Sequence, residues 1–445
     1  MTAPAPALAA VRPSARQVAW QELEFYGFVH FGMNTMTGRE WGEGTDDPAL
    51  FDPAGLDADQ WVAALKSAGM TGVILTCKHH DGFCLWPSDV TDYTVAASPW
   101  RDGKGDVVAE VADAARRHGL RFGVYLSPWD RAEASYGSGT AYDDFYVAQL
   151  TELLTRYGPV FSVWMDGANG EGPNGKRQVY DWDRYYAVVR ELQPDAVLSV
   201  CGPDVRWCGN EAGHTRPDEW SVVPAGLRDA ERIADRSQQV DDGTFARLVR
   251  SDDLDLGSRA ALAGHEDDLV WYPAEVNTSI RPGWFHHDAE DTQVRSVDEL
   301  FTIYLRSVGG NSCLLLNVPP AADGLVRDAD VTVLTRLGQR IEDFWARRLE
   351  ATVSHEPRLT LDFGRTARVE AVVVGEDITQ GQRIEHVVVS GRVDGRLTPL
   401  AEANAVGYRR VLTFPPVEVD AIVVEVRQTR DTPVVAQVAA IEAAP

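Results

Sequence analysis

The chain has 445 residues, 44% apolar and 24% charged, which is enough for one large folded domain and a smaller one. A formal net charge of −25 argues against a nucleic-acid partner and favours a neutral or cationic small ligand. The five cysteines form no CxxC motif, so the sequence indicates neither a zinc knuckle nor a disulfide framework.

The first 20 residues are rich in Ala and Pro and lack the charged segment and continuous apolar run of a signal peptide. We expect residues 1–20 to form a loose N-terminal tail. No later stretch is long enough to cross a bilayer as an apolar helix. The sequence therefore predicts a cytoplasmic protein without a membrane partner.

From about Phe25 the chain alternates short β-rich runs with longer amphipathic ones. Each predicted strand is nearly all apolar, which is typical of parallel strands covered on both faces. Gly119 and Gly158 follow predicted helices, as left-handed caps would. The predicted strands are FYGFVHFG, TGVILTCKHH, RFGVYLSP, VFSVWMDG, AVLSVCGPD, LVWYPAEVNTSI and NSCLLLNVPP.

This alternation predicts an α/β fold, a (β/α)8-like TIM barrel over residues 21–348. Beyond Val205 a polar, Gly- and Asp-rich stretch interrupts the pattern, and we interpret it as a surface excursion. An open doubly wound sheet is the alternative, but no Gly-rich phosphate-binding fingerprint follows the first strand.

The composition changes after Glu350. Short Val-rich alternating segments, separated by Gly, Pro and Asp, predict a C-terminal β-sandwich over residues 349–445. Its aromatic residues Phe363, Tyr408 and Phe414 are scattered along the sequence. We therefore expect the sandwich to pack against the barrel rather than to bind glycans.

Polar side chains stand at the predicted C-terminal ends of four successive strands. They are His30, the pair His79 and His80, Tyr125, and Asp166. In a barrel these strand ends meet at one rim, where catalytic groups lie. We expect these side chains to share one site.

The adjacent His79 and His80 raise the question of a metal site. Neighbouring residues on a strand point to opposite faces, and no HxH, HExxH or Cys/His cluster accompanies the pair. We therefore expect no metal and interpret the imidazoles as hydrogen-bonding groups for sugar hydroxyls. Tryptophans near the predicted rim favour the same ligand class, because an indole offers a flat apolar face and an N–H.

Asp166 ends the apolar run FSVWMDG, a confined place for a carboxylate. A glycosidase uses two carboxyl groups, one ionised and one that donates a proton to the leaving oxygen. The stretch VRWCGNEAGHTRPDEW after the fifth strand offers Glu211 and Glu219 as the second group. Composition ranks Glu211 only weakly above Glu219.

Five motifs taken together resemble the family 29 glycoside hydrolases, the retaining α-L-fucosidases. The motifs are FVHFGMNTMTGREWGEG, LTCKHHDGFCLWPS, GVYLSPWDR, VWMDGANGEG and WCGNEAG. The resemblance implies a double displacement without a cofactor, in which Asp166 is the nucleophile and Glu211 the general acid/base. It also implies a set of fucose contacts: His30, Glu40, Trp41, His79, His80, Tyr125, Trp164 and, as a weaker match, Trp284.

The spacing of the two carboxyl groups (211 − 166 = 45) and the motifs DEWSVVP and LVWYPAEVNTSIRPGWF resemble one branch of that family, specific for α-1,3/1,4-linked fucose. This branch implies Lewis-type glycans, in which the fucosylated N-acetylglucosamine also carries galactose. The alternatives are a broad α-L-fucosidase that also accepts α-1,2-linked or aryl fucosides, a non-catalytic fucose-binding protein, and a metal-dependent hydrolase. The expected partner is a fucosylated oligosaccharide; the sequence indicates no oligomeric state.

Overall fold

A computed structural model describes residues 5–236, 254–350, 352–354 and 358–444. Its α-helices are α1 (Ala5–Ala10), α2 (Ala15–Gln21), α3 (Met33–Thr37), α4 (Ala58–Ser67), α5 (Val107–His118), α6 (Thr140–Arg156), α7 (Trp182–Leu192), α8 (Ala230–Arg236), α9 (Val297–Ser307) and α10 (Asp328–Ala346). Its strands are β1 (Phe25–Val29), β2 (Gly72–Lys78), β3 (Arg121–Leu126), β4 (Ser162–Met165), β5 (Val197–Val200), β6 (Arg206–Trp207), β7 (Val222–Pro224), β8 (Leu269–Trp271), β9 (Ala274–Ser279), β10 (Cys313–Asn317), β11 (Thr352–Ser354), β12 (Leu359–Glu376), β13 (Ile384–Val393), β14 (Arg396–Ala403), β15 (Arg410–Thr429) and β16 (Val435–Glu442). Within these described ranges, none of the helices combines the length and the apolar character needed to cross a membrane.

Eight parallel strands form the barrel, in the order β5-β4-β3-β2-β1-β10-β9-β6. One parallel bridge between Ser199 and Val205 brings β5 beside β6, so the sheet is nearly closed. Every residue of β1, β2 and β10 is buried, as the continuous apolar runs indicated. The predicted (β/α)8-like barrel is confirmed.

Helix α5 shows how the amphipathic runs become helices around this barrel. Asp106 caps its N-terminus and accepts a hydrogen bond from Ala109 N (2.8 Å). Val107 and Val111 are buried, on the face that packs against β2 and β3. Gly119 ends the helix with a φ of 73°, a left-handed conformation that glycine adopts without steric cost.

The surface excursion contains elements that differ from the prediction. β6 follows β5 without an intervening helix, and β7 and β8 form an antiparallel ribbon outside the barrel. The prediction of one strand for LVWYPAEVNTSI is therefore wrong, because its first part is β8 and its second part is β9. Pro273 lies between them and lacks the N–H that a continuous strand ladder requires.

The prediction of a loose N-terminal tail is wrong for α2. Ser14 caps this helix, and the Gln17 side-chain amide donates to Asp204 O (2.8 Å) and Trp271 O (2.9 Å). Trp20 is 2% exposed and packs in the main hydrophobic core. The helix is stabilised by this packing, which the Ala- and Pro-rich composition did not indicate.

The C-terminal strands form an antiparallel sheet in the order β11-β12-β15-β13-β14, with β16 paired to β12. Register shifts divide the pairing of the long strands β12 and β15 into separate runs. Such bulges bend a strand, so the sheet folds over its own Val-rich core. This arrangement confirms the predicted β-sandwich.

Polar contacts join the sandwich to the barrel. Glu24, just before β1, accepts a hydrogen bond from Tyr408 OH (3.0 Å) and is ion-paired with Arg409. Asn311, just before β10, accepts one from Tyr408 N (2.8 Å) and donates to Glu219 O (2.9 Å). The sandwich therefore contacts the barrel at the segments that precede β1 and β10.

Candidate active site

A cavity lies at the C-terminal ends of the barrel strands. It brings together most of the side chains that the sequence predicted for the site: His30, Glu40, Trp41, His79, His80, Trp164, Asp166, Glu211 and Trp284. Tyr125, the tenth, does not line the cavity but contacts Asp166. Phe28, Ala168 and Asn277 complete the lining.

Asp166 follows β4 directly and is held by two donors. Its Oδ2 accepts a hydrogen bond from Tyr125 OH (2.9 Å), and its Oδ1 accepts one from Ala168 N (2.7 Å). Burial, and then the Asp166 charge, raise the pKa of Tyr125 well above its usual range. The phenol therefore stays a donor throughout the working pH range and fixes the orientation of the carboxylate.

Glu211 lies in the turn after β6. The neighbouring Asn210 organises this turn, because its Oδ1 accepts from Ala212 N and His214 N (both 3.1 Å). The Glu211 side chain is 9% exposed, and its Oε2 accepts a hydrogen bond from Trp284 Nε1 (3.2 Å). Glu211 and Asp166 therefore reach the same cavity from different strands, as the chemistry of a glycosidase requires.

Glu219, the other carboxyl that the sequence offered, has a different role. It is 1% exposed, is ion-paired with Arg206 and lies 3.4 Å from Arg216 Nη1. Burial opposes ionisation, yet the two guanidinium groups lower the pKa of Glu219. It does not line the cavity, whereas Glu211 does.

His30 and His80 are neutral and each is held through Nδ1. His30 Nδ1 lies 2.8 Å from Asn317 Oδ1, an atom that only accepts, so Nδ1 carries the proton. His80 Nδ1 lies 2.7 Å from Ser127 Oγ, whose own hydroxyl donates to Trp129 O (2.7 Å). Burial lowers the pKa of His30 to about 3 and that of His80 to about 4. Nε2 of each ring is therefore an acceptor for a sugar hydroxyl.

His79 is the second histidine of the adjacent pair. Its ring stacks on Tyr125 with centroids 5.6 Å apart and lies 4.0 Å from the ring of His80. Burial lowers the pKa of His79 well below its usual value. Its Nδ1 has no hydrogen-bond partner among the described residues, so this nitrogen offers a polar atom to a ligand.

Glu40 organises one wall of the cavity. Its Oε2 accepts a hydrogen bond from Trp284 N (3.0 Å). Its Oε1 accepts one from Phe285 N (3.2 Å) and lies 2.8 Å from His287 Nε2. Both oxygens thus bind the loop after β9, and this loop carries the indole that contacts Glu211.

Sequence reasoning missed the polar residues of β9. Glu275, Asn277 and Ser279 alternate along AEVNTS, and all three are buried. Asn277 lines the cavity and accepts a hydrogen bond from Trp207 Nε1 (3.0 Å). The signal was present, because polar residues at every second position of a buried strand mark one functional face.

A sequence model of the alpha-L-fucosidase family matches residues 13–344, which is more than half of the chain. The chain belongs to the alpha-L-fucosidase family. It is 44% identical to alpha-L-fucosidase 1 of Arabidopsis thaliana over 76% of this chain and 62% of that protein.

Solved structures of the family superpose on the whole fold. A glycoside hydrolase 29 family member from an unknown rumen bacterium gives a TM-score of 0.84 at 35% identity, covering 100% of this chain and 78% of that one. The Ruminococcus gnavus GH29 fucosidase E1_10125, solved in complex with fucose, gives a TM-score of 0.81 at 29% identity, covering 98% and 95%.

The protein is thus an α-L-fucosidase of glycoside hydrolase family 29, a family of retaining enzymes, and its substrate is a fucosylated glycan. The cavity suits this substrate class. Its lining offers neutral imidazoles that can accept from hydroxyls, indoles with apolar faces, and the carboxyl groups of Asp166 and Glu211.

Proposed function

We propose that the enzyme removes α-1,3- and α-1,4-linked fucose from branched, Lewis-type glycans, with Asp166 as nucleophile and Glu211 as general acid/base. The placement of both carboxyl groups in one cavity supports this pair, and the resemblance of the VWMDG and GNEAG motifs to the family gives each group its role. Asp166 attacks the anomeric carbon while Glu211 gives a proton to the departing glycosidic oxygen. Glu211 then takes a proton from water, whose oxygen attacks the anomeric carbon and breaks its bond to Asp166, so fucose leaves with its original anomeric configuration.

A groove beside the cavity supports the preference for branched substrates. Trp41 and Ala168 line both the cavity and the groove. Trp129 packs edge-to-face on Trp41 with centroids 5.3 Å apart and gives its indole N–H to Glu171 O (3.1 Å). Trp129 therefore presents an apolar face to the sugar next to fucose rather than its polar edge.

The far side of the groove is polar. Its lining includes the exposed side chains of Arg177, Glu231 and Asp235. Such groups donate to and accept from the hydroxyls of a second sugar. A glycan that branches at the sugar bearing fucose contacts both the Trp41–Trp129 pair and these polar side chains, whereas a linear fucoside contacts only one of the two groups.

The test compares a Lewis-type trisaccharide with 2′-fucosyllactose, using the wild type, Asp166→Ala and Asp195→Ala. Asp195 is an exposed carboxylate before β5 and serves as the matched control. We expect cleavage of the branched glycan, little cleavage of the linear one, an inactive Asp166 variant and an active Asp195 variant. Equal cleavage of both glycans would refute the linkage preference, and an active Asp166→Ala would refute the nucleophile.

A second pair of variants tests the groove itself. Arg177→Ala removes a lining side chain, and Lys176→Ala makes the same truncation next to it, outside the groove. Loss of a charged contact to a sugar hydroxyl should lower kcat/KM on the branched glycan by roughly tenfold. Activity on an aryl α-L-fucoside should stay unchanged in both variants; a loss on both substrates would show that Arg177 does not act through the branch.

A further inference from the structure

Glu275 lies inside the barrel, on β9, and is 0% exposed. Its Oε1 accepts a hydrogen bond from Trp164 Nε1 (2.7 Å), and its Oε2 accepts one from Tyr26 OH. Both donors are neutral, and the hydrogen bonds of Glu275 within the described part of the chain include no cationic partner. Burial raises the pKa of Glu275 to about 7, whereas both hydrogen bonds favour the ionised form, so the carboxylate is charged above that pH. A buried carboxylate without a cationic partner lowers stability, so its presence calls for a function.

Trp164 connects this carboxylate to the catalytic machinery. The indole lines the cavity, and Trp164 stands two residues before Asp166, which also lines it and directly follows the same strand. The indole stacks on Tyr125 with centroids 5.4 Å apart, and Tyr125 donates to Asp166. Glu275 is thus one hydrogen bond from the cavity wall.

The chemistry explains why a negative charge is useful there. The transition state of glycoside hydrolysis resembles an oxocarbenium ion, whereas the bound fucoside is neutral. A fixed charge buried in a low-dielectric site therefore stabilises the transition state more than the substrate. It lowers the barrier of the chemical step without tightening substrate binding.

We propose that Glu275, with its carboxylate ionised, is a positioning residue for hydrolysis. It fixes the Trp164 indole from inside the barrel and stabilises the positive charge that develops on the fucose ring. The proposal rests on the α-L-fucosidase activity and not on the linkage preference. An aryl α-L-fucoside tests it independently of the glycan branch.

Glu275→Gln separates charge from geometry. The amide oxygen still accepts from Trp164 Nε1, so the contact to the cavity wall persists without the charge. The NH₂ group then faces the Tyr26 oxygen, which also accepts from Trp20 Nε1, and the Tyr26 hydroxyl proton loses its acceptor. On 4-nitrophenyl α-L-fucoside, measured above pH 7, we expect kcat to fall by roughly ten- to a hundredfold, with KM within threefold of the wild type. An unchanged kcat, or a loss confined to KM, would overturn the proposal.

Glu376→Gln is the matched control. Glu376 is a buried glutamate (3% exposed) in the sandwich, and burial raises its pKa to about 7, as it does for Glu275. The same substitution at this position should leave kcat unchanged. An equal fall in kcat in both variants would mean that any buried glutamate has this effect, and the proposal would fail.

Tyr26→Phe gives a second test that keeps the charge. The phenol favours the ionised form of Glu275, so its removal should move the acid limb of kcat to higher pH and leave the plateau near the wild-type value. Tyr26 and Cys313, the other titratable groups beside Glu275, are neutral between pH 5 and 9, because burial raises the pKa of each well above its usual range. An acid limb that stays in place would refute the requirement for an ionised Glu275.

Discussion

Glu40→Gln is the sharpest test of how the cavity is built. The glutamate holds three donors with two oxygens: Trp284 N on Oε2, and Phe285 N with His287 on Oε1. A glutamine has one acceptor oxygen, and its NH₂ group must then face a backbone N–H. Backbone donors cannot be redirected, so at least one of them is left without an acceptor in a site that is 4% exposed.

The size of the effect follows from this count. An unsatisfied buried donor costs about 1–3 kcal/mol, which corresponds to roughly 5- to 150-fold in an equilibrium or rate constant. The unsatisfied donor destabilises the loop after β9, which carries the Trp284 indole, and this indole donates to Glu211. We therefore expect kcat/KM on an aryl α-L-fucoside to fall by roughly 5- to 150-fold.

Initial rates of Glu40→Gln and Glu43→Gln would be measured beside the wild type, with a thermal melt for each. Glu43 is the control, because its side chain is 58% exposed and pairs with Arg39 at the surface. Glu43→Gln should keep full activity. If Glu40→Gln kept kcat/KM within twofold of the wild type, the hydrogen bonds of Glu40 would not organise the site.

Three further changes test other parts of the structure. Tyr125→Phe removes one of the two donors to Asp166, and kcat should fall by roughly ten- to a hundredfold with the fold intact by circular dichroism. Lys78→Met leaves the buried Asp130 without its cation (2.8 Å), and urea unfolding should show a loss of about 3–5 kcal/mol that Asp130→Asn partly restores in the double variant. Burial raises the pKa of Glu376 from 4.5 to about 7. The contribution of Glu376 to the free energy of unfolding is therefore full below pH 4.5 and is lost as pH rises through 7. Over this interval the wild type should lose about 3 kcal/mol of stability relative to Glu376→Gln.

The parts of the site that the sequence predicted are those set by a simple geometric rule. The side chains of His30, of His79 and His80, and of Asp166 follow the parallel strands β1, β2 and β4, and in a barrel all such strand ends meet at one rim. Chain order was then enough to bring them together. Glu40 and Trp284 are 244 residues apart and came from the resemblance of motifs rather than from this rule.

The parts that sequence reasoning missed depend on tertiary contacts. β6 is two residues long and has no apolar run of its own, so only its pairing with β9 makes it a strand. α2 is stabilised by the burial of Trp20 and the hydrogen bonds of Gln17, which no local propensity indicates. The sequence does not single out Glu275, because its hydrogen-bond donors Trp164 and Tyr26 lie on other strands.

The charges around the cavity explain why its histidines are held neutral. The transition state carries positive charge, and an imidazolium beside it would raise the barrier as surely as a carboxylate lowers it. Burial lowers the pKa of His30 to about 3 and that of His80 to about 4, so both rings are uncharged above that range and each keeps Nε2 as an acceptor. These lowered values favour the folded protein at neutral pH, and this contribution is lost as pH falls from 6.5 through the folded pKa values. The imidazoles therefore bind hydroxyls without opposing the charge that the carboxylates stabilise, and the same burial makes the fold sensitive to acid.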